Sequence, residues 1–455
     1  MARFADAVYF LATSTGTVDF VVNSAITGFQ TPASAAMVNG GVYKYRAESS
    51  DLTQWELGEG TWTSGTSTLS RTTVLFNNLG TTAKISFTAA PNVGIVQLKE
   101  DTLAVDEANA FTAAQRAQAL SNISGVPAGS VNKFLNPGMD VDQRNTAAGV
   151  TVTTSGAYTT DGWFVTPTGA SCTVTQQFNG ANVGATRSFG SLQLKGAASV
   201  TGITLKQRIE SNVLGPLDSR VVTIQCKVRN DTGGSITPTL TVKRCNAAPD
   251  GFGSLTTDLS AVSLQACANG ATTQVAYTYT TVAGSYFGLE VTFDFGNNFS
   301  STAKTVNVTD FDIRETPGVA TGQNSTPPPV ELRPIGVEMA ACLRYFKSIY
   351  RNSVNVYTLS AVSSPTNLVD AIYRFDVPMR AAPTLITSAT ASDYLVSDAN
   401  GGSSGACTSV PSLVGASQTD AFIRFTKTSH GLTNLAMSRH AAANANGILW
   451  LTAEL

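Results

Sequence analysis

The sequence predicts a mainly β protein assembled from several small domains, and three observations lead there. Only 13% of the 455 residues are charged and the net charge is −2, while Thr, Ser, Gly and Val abound, which is the composition of turn-rich β structure that gains stability by association. Short runs alternate apolar and polar side chains and stop at Gly, Asn or Asp, the signature of half-buried strands joined by tight turns. Convincing helical spacing is confined to two short segments. A chain of this length accommodates two to four domains. Its near balance of charge speaks against a nucleic-acid partner, and no apolar run approaches the ~20 residues of a membrane helix. The first dozen residues carry Asp6 inside too short an apolar run to read as a secretion signal.

Residues 1–98 form the first β domain. Val18, Phe20 and Val22 share one phase, as do Ile85 and Phe87. Gln54 to Leu75 reads as strands joined by tight turns, with Trp55 and Trp62 assigned to core packing in preference to sugar stacking. Residues 99–131 are a connector. Thr112-x-x-Gln115 is a capping box, and a helix over about 113–123 places Ala113, Ala117 and Leu120 on one narrow face.

Residues 132–325 make the largest unit, with strands at Val221–Val228, Leu240–Val242, Tyr277–Tyr279, Gly288–Phe295 and Thr305–Ile313. Val306 and Val308 share a face, whereas Phe311 and Ile313 are out of phase with them. A bulge near Thr309 or Asp310 restores the register. Several short strands without intervening helices indicate a β-sandwich or jelly roll.

Residues 326–350 hold a stiff Thr326-Pro-Pro-Pro-Val330 approach and a predicted helix over 333–350. Ile335, Met339, Cys342, Phe346 and Ile349 recur in steps of four, three, four and three, the spacing of a lengthwise helix seam. Two readings stay open: an amphipathic helix lying on its own domain, or a contact among three chains. Residues 351–455 form a smaller β-sandwich unit, with strands at Tyr373–Val377, Phe422–Thr426 and Ile448–Leu455.

Candidate chemistry is sparse. The six cysteines are scattered without a Cys-x-x-Cys pair and are expected to be free thiols, although Cys245 and Cys267 could close a loop; no metal site is expected. No Gly-rich phosphate loop precedes a helix and neither His430 nor His440 lies near a nucleophile elbow, so no cofactor and no catalytic residue are assigned. Carboxyl pairs that could hydrolyse a glycan are Asp140 with Asp142, Asp310 with Asp312, and Glu56 with Glu59. Asp310 and Asp312, on one side of a strand, equally suit a solvated edge or a calcium ion. Sugar stacking is the better prospect. Tyr394 beside Asp393, close to the polar loop 398–405 with Asp398 and Asn400, is the candidate glycan site, against the plainer reading of a structural tyrosine.

Several segments resemble a known family. Tyr43-x-Tyr45, Trp55-Glu-x-Gly58, Gly60-x-Trp62 and Leu69-Ser-Arg-Thr-Thr-Val-Leu75 are similar to the virion-proximal β domain of tailed-bacteriophage fibre proteins. Phe111 to Ile123 resembles a linker that recurs in phage tail proteins. Asn132 to Arg144, Gly156-x-Tyr158-x-x-Asp161-Gly-Trp163, Gln207-Arg-Ile-Glu210 and Glu331 to Phe346 resemble the carbohydrate-binding-module-like jelly roll of such fibres. Val377 to Thr384 and the final Ala-Glu-Leu resemble their distal tip. Gly162 departs from the pattern, where a basic residue is common before the Trp, and so does Asp310 to Arg314.

The resemblance implies a tail fibre or receptor-binding protein, a homotrimer on the virion. Residues 1–98 would meet other virion proteins, and the C-terminal domains would meet a bacterial surface polysaccharide. A head fibre or other decoration protein is the first alternative and a depolymerase the second. No enzyme activity and no membrane insertion are expected.

Overall fold

A computed structural model describes residues 4–98, 132–145, 149–178, 183, 188–350, 358–364, 367–398, 404–428 and 437–455. The chain divides into two compact units, Met1–Thr112 and Ala113–Leu455. The Ala113, Ala117 and Leu120 face, Asn400 and His430 lie outside the described residues.

The N-terminal unit is an antiparallel sheet of β1 (Tyr9–Ala12), β2 (Phe20–Ala25), β3 (Val42–Glu48), β4 (Trp55–Thr63), β5 (Thr68–Leu69), β6 (Thr73–Asn77) and β7 (Asn92–Ile95). Its order is β3-β7-β1-β2-β5-β4-β6, and an added β3–β4 pairing closes six strands into a ring, which removes most exposed sheet edges. Phe10, Phe20, Tyr45, Trp62 and Phe87 fill the interior. Trp62 is core, as its sequence context indicates. Val18 departs from the predicted alternation: it precedes β2 and stands exposed. Ile85 and Phe87 are buried as expected, but their segment makes only a single bridge, Gly16 to Phe87.

The core of this unit also contains a charge pair. Arg71 and Glu56 are both fully buried and joined by two hydrogen bonds. Tyr45 and the Ile85 amide donate to the same carboxylate, and Arg71 donates to the carbonyls of Gly16, Val18 and Ile85. The Phe20 and Phe87 rings flank the guanidinium at 5.0 and 5.5 Å. Glu56 is thus a structural acid, so the Glu56/Glu59 pair lacks the two available carboxyl groups that hydrolysis needs.

The second unit opens with a sandwich. One sheet runs β16-β15-β18-β13-β10-β9, from β9 (Ala157–Tyr158), β10 (Phe164–Thr168), β13 (Gly202–Ile209), β15 (Thr239–Cys245), β16 (Leu255–Ser263) and β18 (Leu289–Asp294). The other runs β20-β17-β14-β19-β12-β11-β8, from β8 (Val150–Val152), β11 (Cys172–Phe178), β12 (Gly190–Lys195), β14 (Val221–Asp231), β17 (Ala271–Thr280), β19 (Thr305–Glu315) and β20 (Gly322–Gln323). Inward residues of both sheets, among them Val165, Leu205, Val242 and Phe293 against Val174, Ile224, Val228 and Val308, form one core. This is the predicted antiparallel jelly-roll layout.

The register break falls where the sequence places it. Thr309 pairs with Lys227 and Asp312 with Gln225, so Asp310 and Phe311 together oppose Cys226. Asp310 takes a φ of 53°, and Phe311 and Ile313 regain the core.

The proline-rich stretch covers the outer face of this sheet. Gln225 donates to the Pro328 carbonyl at 2.8 Å, Arg314 to that of Pro329, and the Glu331 amide to Asp312 at 3.0 Å. Asp312 lies beneath this stretch and Asp310 accepts from the Ser188 amide and hydroxyl; both are fully buried, neither a solvated edge nor an open carboxyl pair. They are matched by Lys227 at 3.4 Å and Arg314 at 3.1 Å, respectively. Asp142 caps its own turn through the Arg144 and Asn145 amides, and Asp140 accepts from Gly190.

The helix is shorter than its seam predicts. It runs Ile335–Leu343, and Phe346–Tyr350 is strand β21. Phe346 and Lys347 pair with Thr452 and Leu451 of β30 (Leu449–Thr452). The aromatic and branched side chains of Tyr345 to Tyr350 favour a pleated surface, and the available partner strand overrides the seven-residue pattern. Cys342 and Phe346 are buried within their own chain and Ile349 packs on the tip core, whereas Ile335 and Met339 are exposed. A continuous seam therefore does not exist.

The tip adds β24 (Thr384–Thr387) to β21 and β30, and packs a larger sheet of β22 (Thr358–Ser364), β23 (Leu368–Arg374), β25 (Tyr394–Asp398), β26 (Ser404–Ala406), β27 (Ser409–Ala416), β28 (Asp420–Thr426) and β29 (Met437–Ala442). β23 ends at Arg374, short of the strand predicted over Tyr373–Val377. Its core includes Val369, Ile423, Phe425 and Leu451. His440 is buried here, between the Tyr350 and Tyr373 hydroxyls and stacked on Phe425 at 4.4 Å. All six cysteines are buried and free.

Candidate functional site

Four segments far apart in the chain meet where sandwich and tip join. Arg144 donates to Asp161 at 2.9 Å and to Glu454 at 2.5 Å, and its guanidinium lies 3.5 Å from the centre of the Phe346 ring. Burial pushes the Asp161 carboxyl up to about 7, with Arg144 opposing the rise, and Glu454 is raised for the same reason. One arginine thus serves two buried acids, an arrangement that favours keeping a proton on one of them. Tyr158 closes the junction by donating to the Leu455 carbonyl at 2.6 Å.

Gly162 sits at the centre of this join with a φ of 80°, and a Cβ there would come within 2.8 Å of the Leu135 side chain. The left-handed φ is what favours glycine at this position. Trp163 behind it is fully buried, donates to the Asn136 carbonyl at 3.0 Å and packs on Phe134 and Phe311.

Against this junction lies a cleft of about 230 Å³. Tyr158, Gln207, Arg208 and Glu210 line the sandwich side, and Arg344, Tyr345 and Leu455 the other. A smaller hollow of about 100 Å³ continues it past Tyr158, Phe164, Lys206 and Arg208. Strand register builds this wall: Phe164 faces Tyr158 on β9 and Lys206 on β13, with the Lys206 ammonium 5.2 Å from the Phe164 ring centre. Lys206 and Arg208 are partly exposed between buried Leu205, Gln207 and Ile209, and buried Glu210 follows the strand, so one strand and the residue after it supply both the bases and the acid of this wall.

Charge is arranged by depth. Lys206 and Arg208 reach Glu290 at 3.2 and 2.8 Å, Arg333 reaches Glu338 at 2.9 Å and Arg344 reaches Glu210 at 2.7 Å. In each pair the acid is the buried partner: Arg344 keeps 35% of its side-chain surface exposed and Glu210 keeps 2%. Burial, with the Glu210 charge, raises the Tyr345 hydroxyl well above the usual tyrosine range, so the ring stays neutral.

The sequence-based glycan candidates fare differently. Tyr394 is fully buried, its hydroxyl donating to the Ile448 carbonyl and accepting from the Ser388 amide at 2.8 Å. No face of its ring is open to a sugar, because it packs in the tip core. Asp393 is also buried and accepts from Asn444 at 2.9 Å. Asp398 ends β25 beside the polar loop. The cleft residues lay inside motifs visible in the sequence, but at positions 133, 158, 208, 345 and 455 that only folding brings together.

No protein-family model and no curated protein matches the sequence. Among solved structures, a family-61 carbohydrate-binding module in complex with β-1,4-galactotriose is similar over 41% of this chain and 99% of its own, at 12% identity and a TM-score of 0.26. A family-22 xylan-binding domain from Paenibacillus barcinonensis is similar over 38% of this chain and 99% of its own, at 18% identity and a TM-score of 0.24. The enzymatically active domain of tailspike protein 4 from bacteriophage CBA120 is similar over 42% of this chain and 22% of its own, at 13% identity and a TM-score of 0.28. Each likeness spans less than half of this chain.

Proposed function

We propose that this chain is a glycan-binding structural protein of a tailed-phage particle. It would be a tail fibre or receptor-binding protein that attaches through residues 1–98, assembles as a homotrimer and holds a bacterial surface polysaccharide without cutting it. The observation that carries the reading is the cleft, where tyrosine rings stand beside paired charges. A pyranose presents an apolar face to such rings and hydroxyls to the surrounding donors and acceptors. Hydrolysis needs two carboxyl groups free to pass protons across a water or a glycosidic oxygen. The two carboxylates lining this cleft are instead held by arginines, Glu210 by Arg344 and Glu454 by Arg144.

Association with a further copy draws support from the exposed side of a helix, and the family resemblance sets the number at three. Ile335–Leu343 buries Glu338 and Cys342 against its own chain and leaves Ile335, Val337 and Met339 exposed. Glu338 is fixed inward by the Asn136 amide at 2.6 Å and by Arg333, so the apolar side is left for a neighbour. Three weak sites on a common axis would then act together through high effective concentration. The test is to incubate the full chain with purified capsular and cell-wall polysaccharides and follow both partners by size exclusion with light scattering. Co-elution with an unchanged polymer length is expected; a shortened polymer would replace binding by depolymerisation.

A further inference from the structure

We propose that the cleft beside Tyr158 and Tyr345 selects an anionic sugar, so that the recognised glycan carries carboxylate or phosphate groups. This deepens the glycan-binding reading and rests on it. The argument is the depth ordering of charge. Lys206, Arg208, Arg333 and Arg344 form the exposed halves of their ion pairs, 20–35% exposed, while Glu290, Glu338 and Glu210 are 2–7% exposed; the two acids that reach the cleft lining, Glu210 and Glu454, are each neutralised by an arginine, Arg344 and Arg144. A dipole layer with bases outward and acids inward gives the opening a positive potential even where the charges sum to nearly zero, and a cleft concentrates that field.

Lys133 adds an ammonium to the same wall. Its pKa is held below the usual lysine range by burial and then by the nearby Arg333 charge, with Glu331 only partly offsetting them. An anion entering the cleft would relieve that ammonium, and a neutral sugar would not. Guanidinium forks at Arg208 and Arg344 suit the planar oxygens of a carboxylate and equally those of a phosphate. The tyrosine rings would take the apolar face of the sugar that carries the charge.

The experiment is calorimetric titration of the full chain with three probes. They are an oligogalacturonate, its carboxyl-reduced neutral counterpart, and a glycerol-phosphate oligomer bearing sugars. At least one charged probe is expected to bind about tenfold or more tighter than the neutral one, with affinity falling as salt rises. The carboxylate and phosphate arms identify which source supplies the anion. Lys133→Gln should weaken the charged probe about tenfold and leave the neutral one unchanged. Lys206→Gln, in the adjoining hollow, gives a second readout should the first variant fold poorly.

Equal or tighter binding of the neutral probe, or an equal loss on both probes in Lys133→Gln, overturns the inference and leaves glycan binding standing. Binding of no probe by the unaltered chain removes the glycan reading and this inference with it.

Discussion

At the scale of single residues, the charges that the sequence offers as chemistry prove to be architecture. Glu56 and Arg71 are the clearest case, a fully buried pair in a β ring. Removing one partner strands the other in a medium that cannot solvate it, at a cost of ~3–5 kcal/mol. Glu56→Gln is therefore expected to lower the melting temperature of the N-terminal unit sharply, as read by calorimetry, and an unchanged melting temperature would contradict the buried pair.

Two buried titrating groups give opposite pH slopes. His440 is pushed down to about 3 by burial, so the folded tip refuses a proton that the unfolded chain accepts. Its contribution is complete above pH ~6.5 and is lost as pH falls toward 3. Asp161, raised by burial to about 7, keeps a proton that the unfolded chain releases, so stability falls as pH rises from ~4 to 7. Thermal melts should lose less stability toward acid in His440→Gln and less toward neutral pH in Asp161→Asn, with Asp312, also raised by burial to about 7, keeping part of the second slope. A slope unaltered by either change would contradict the assigned burial.

Among the elements, strands were legible and the helix end was not. The alternation at Val221–Val228 and the phase slip before Phe311 fixed both a strand and its bulge, because a period of two leaves no freedom once one face is buried. The helix was overrun because seven-residue spacing continues through Phe346 and Ile349, which belong instead to β21 and its pairing with β30. That partner lies a hundred residues onward, and local spacing cannot register it. The cleft was invisible for a related reason. Arg208 and Glu210 stand in the Gln207-Arg-Ile-Glu210 segment, yet their opposite wall comes from Arg344 and Tyr345.

The helix face carries its own prediction. Ile335→Lys with Met339→Lys places charge on exposed positions, so the fold should persist. Light scattering should nonetheless shift from three times the 47.4 kDa of one chain toward one. An unaltered chain already monomeric across a wide concentration range would remove the trimer.

At the scale of the whole molecule, the second unit is a β scaffold whose sandwich and tip are joined by Arg144 between Asp161 and Glu454. That join holds sandwich and tip as the two walls of one cleft. Repetition of such a cleft by association, and no bond-breaking, would supply the strength of attachment. The decisive measurement is a crystal of the full chain soaked with the tightest-binding oligosaccharide. The account predicts an intact sugar lying on Tyr158 and Tyr345 with its polar groups on Arg208 and Arg344. A sugar bound elsewhere, on the N-terminal ring or the outer face of the tip, or a cleaved product in the cleft, would contradict it.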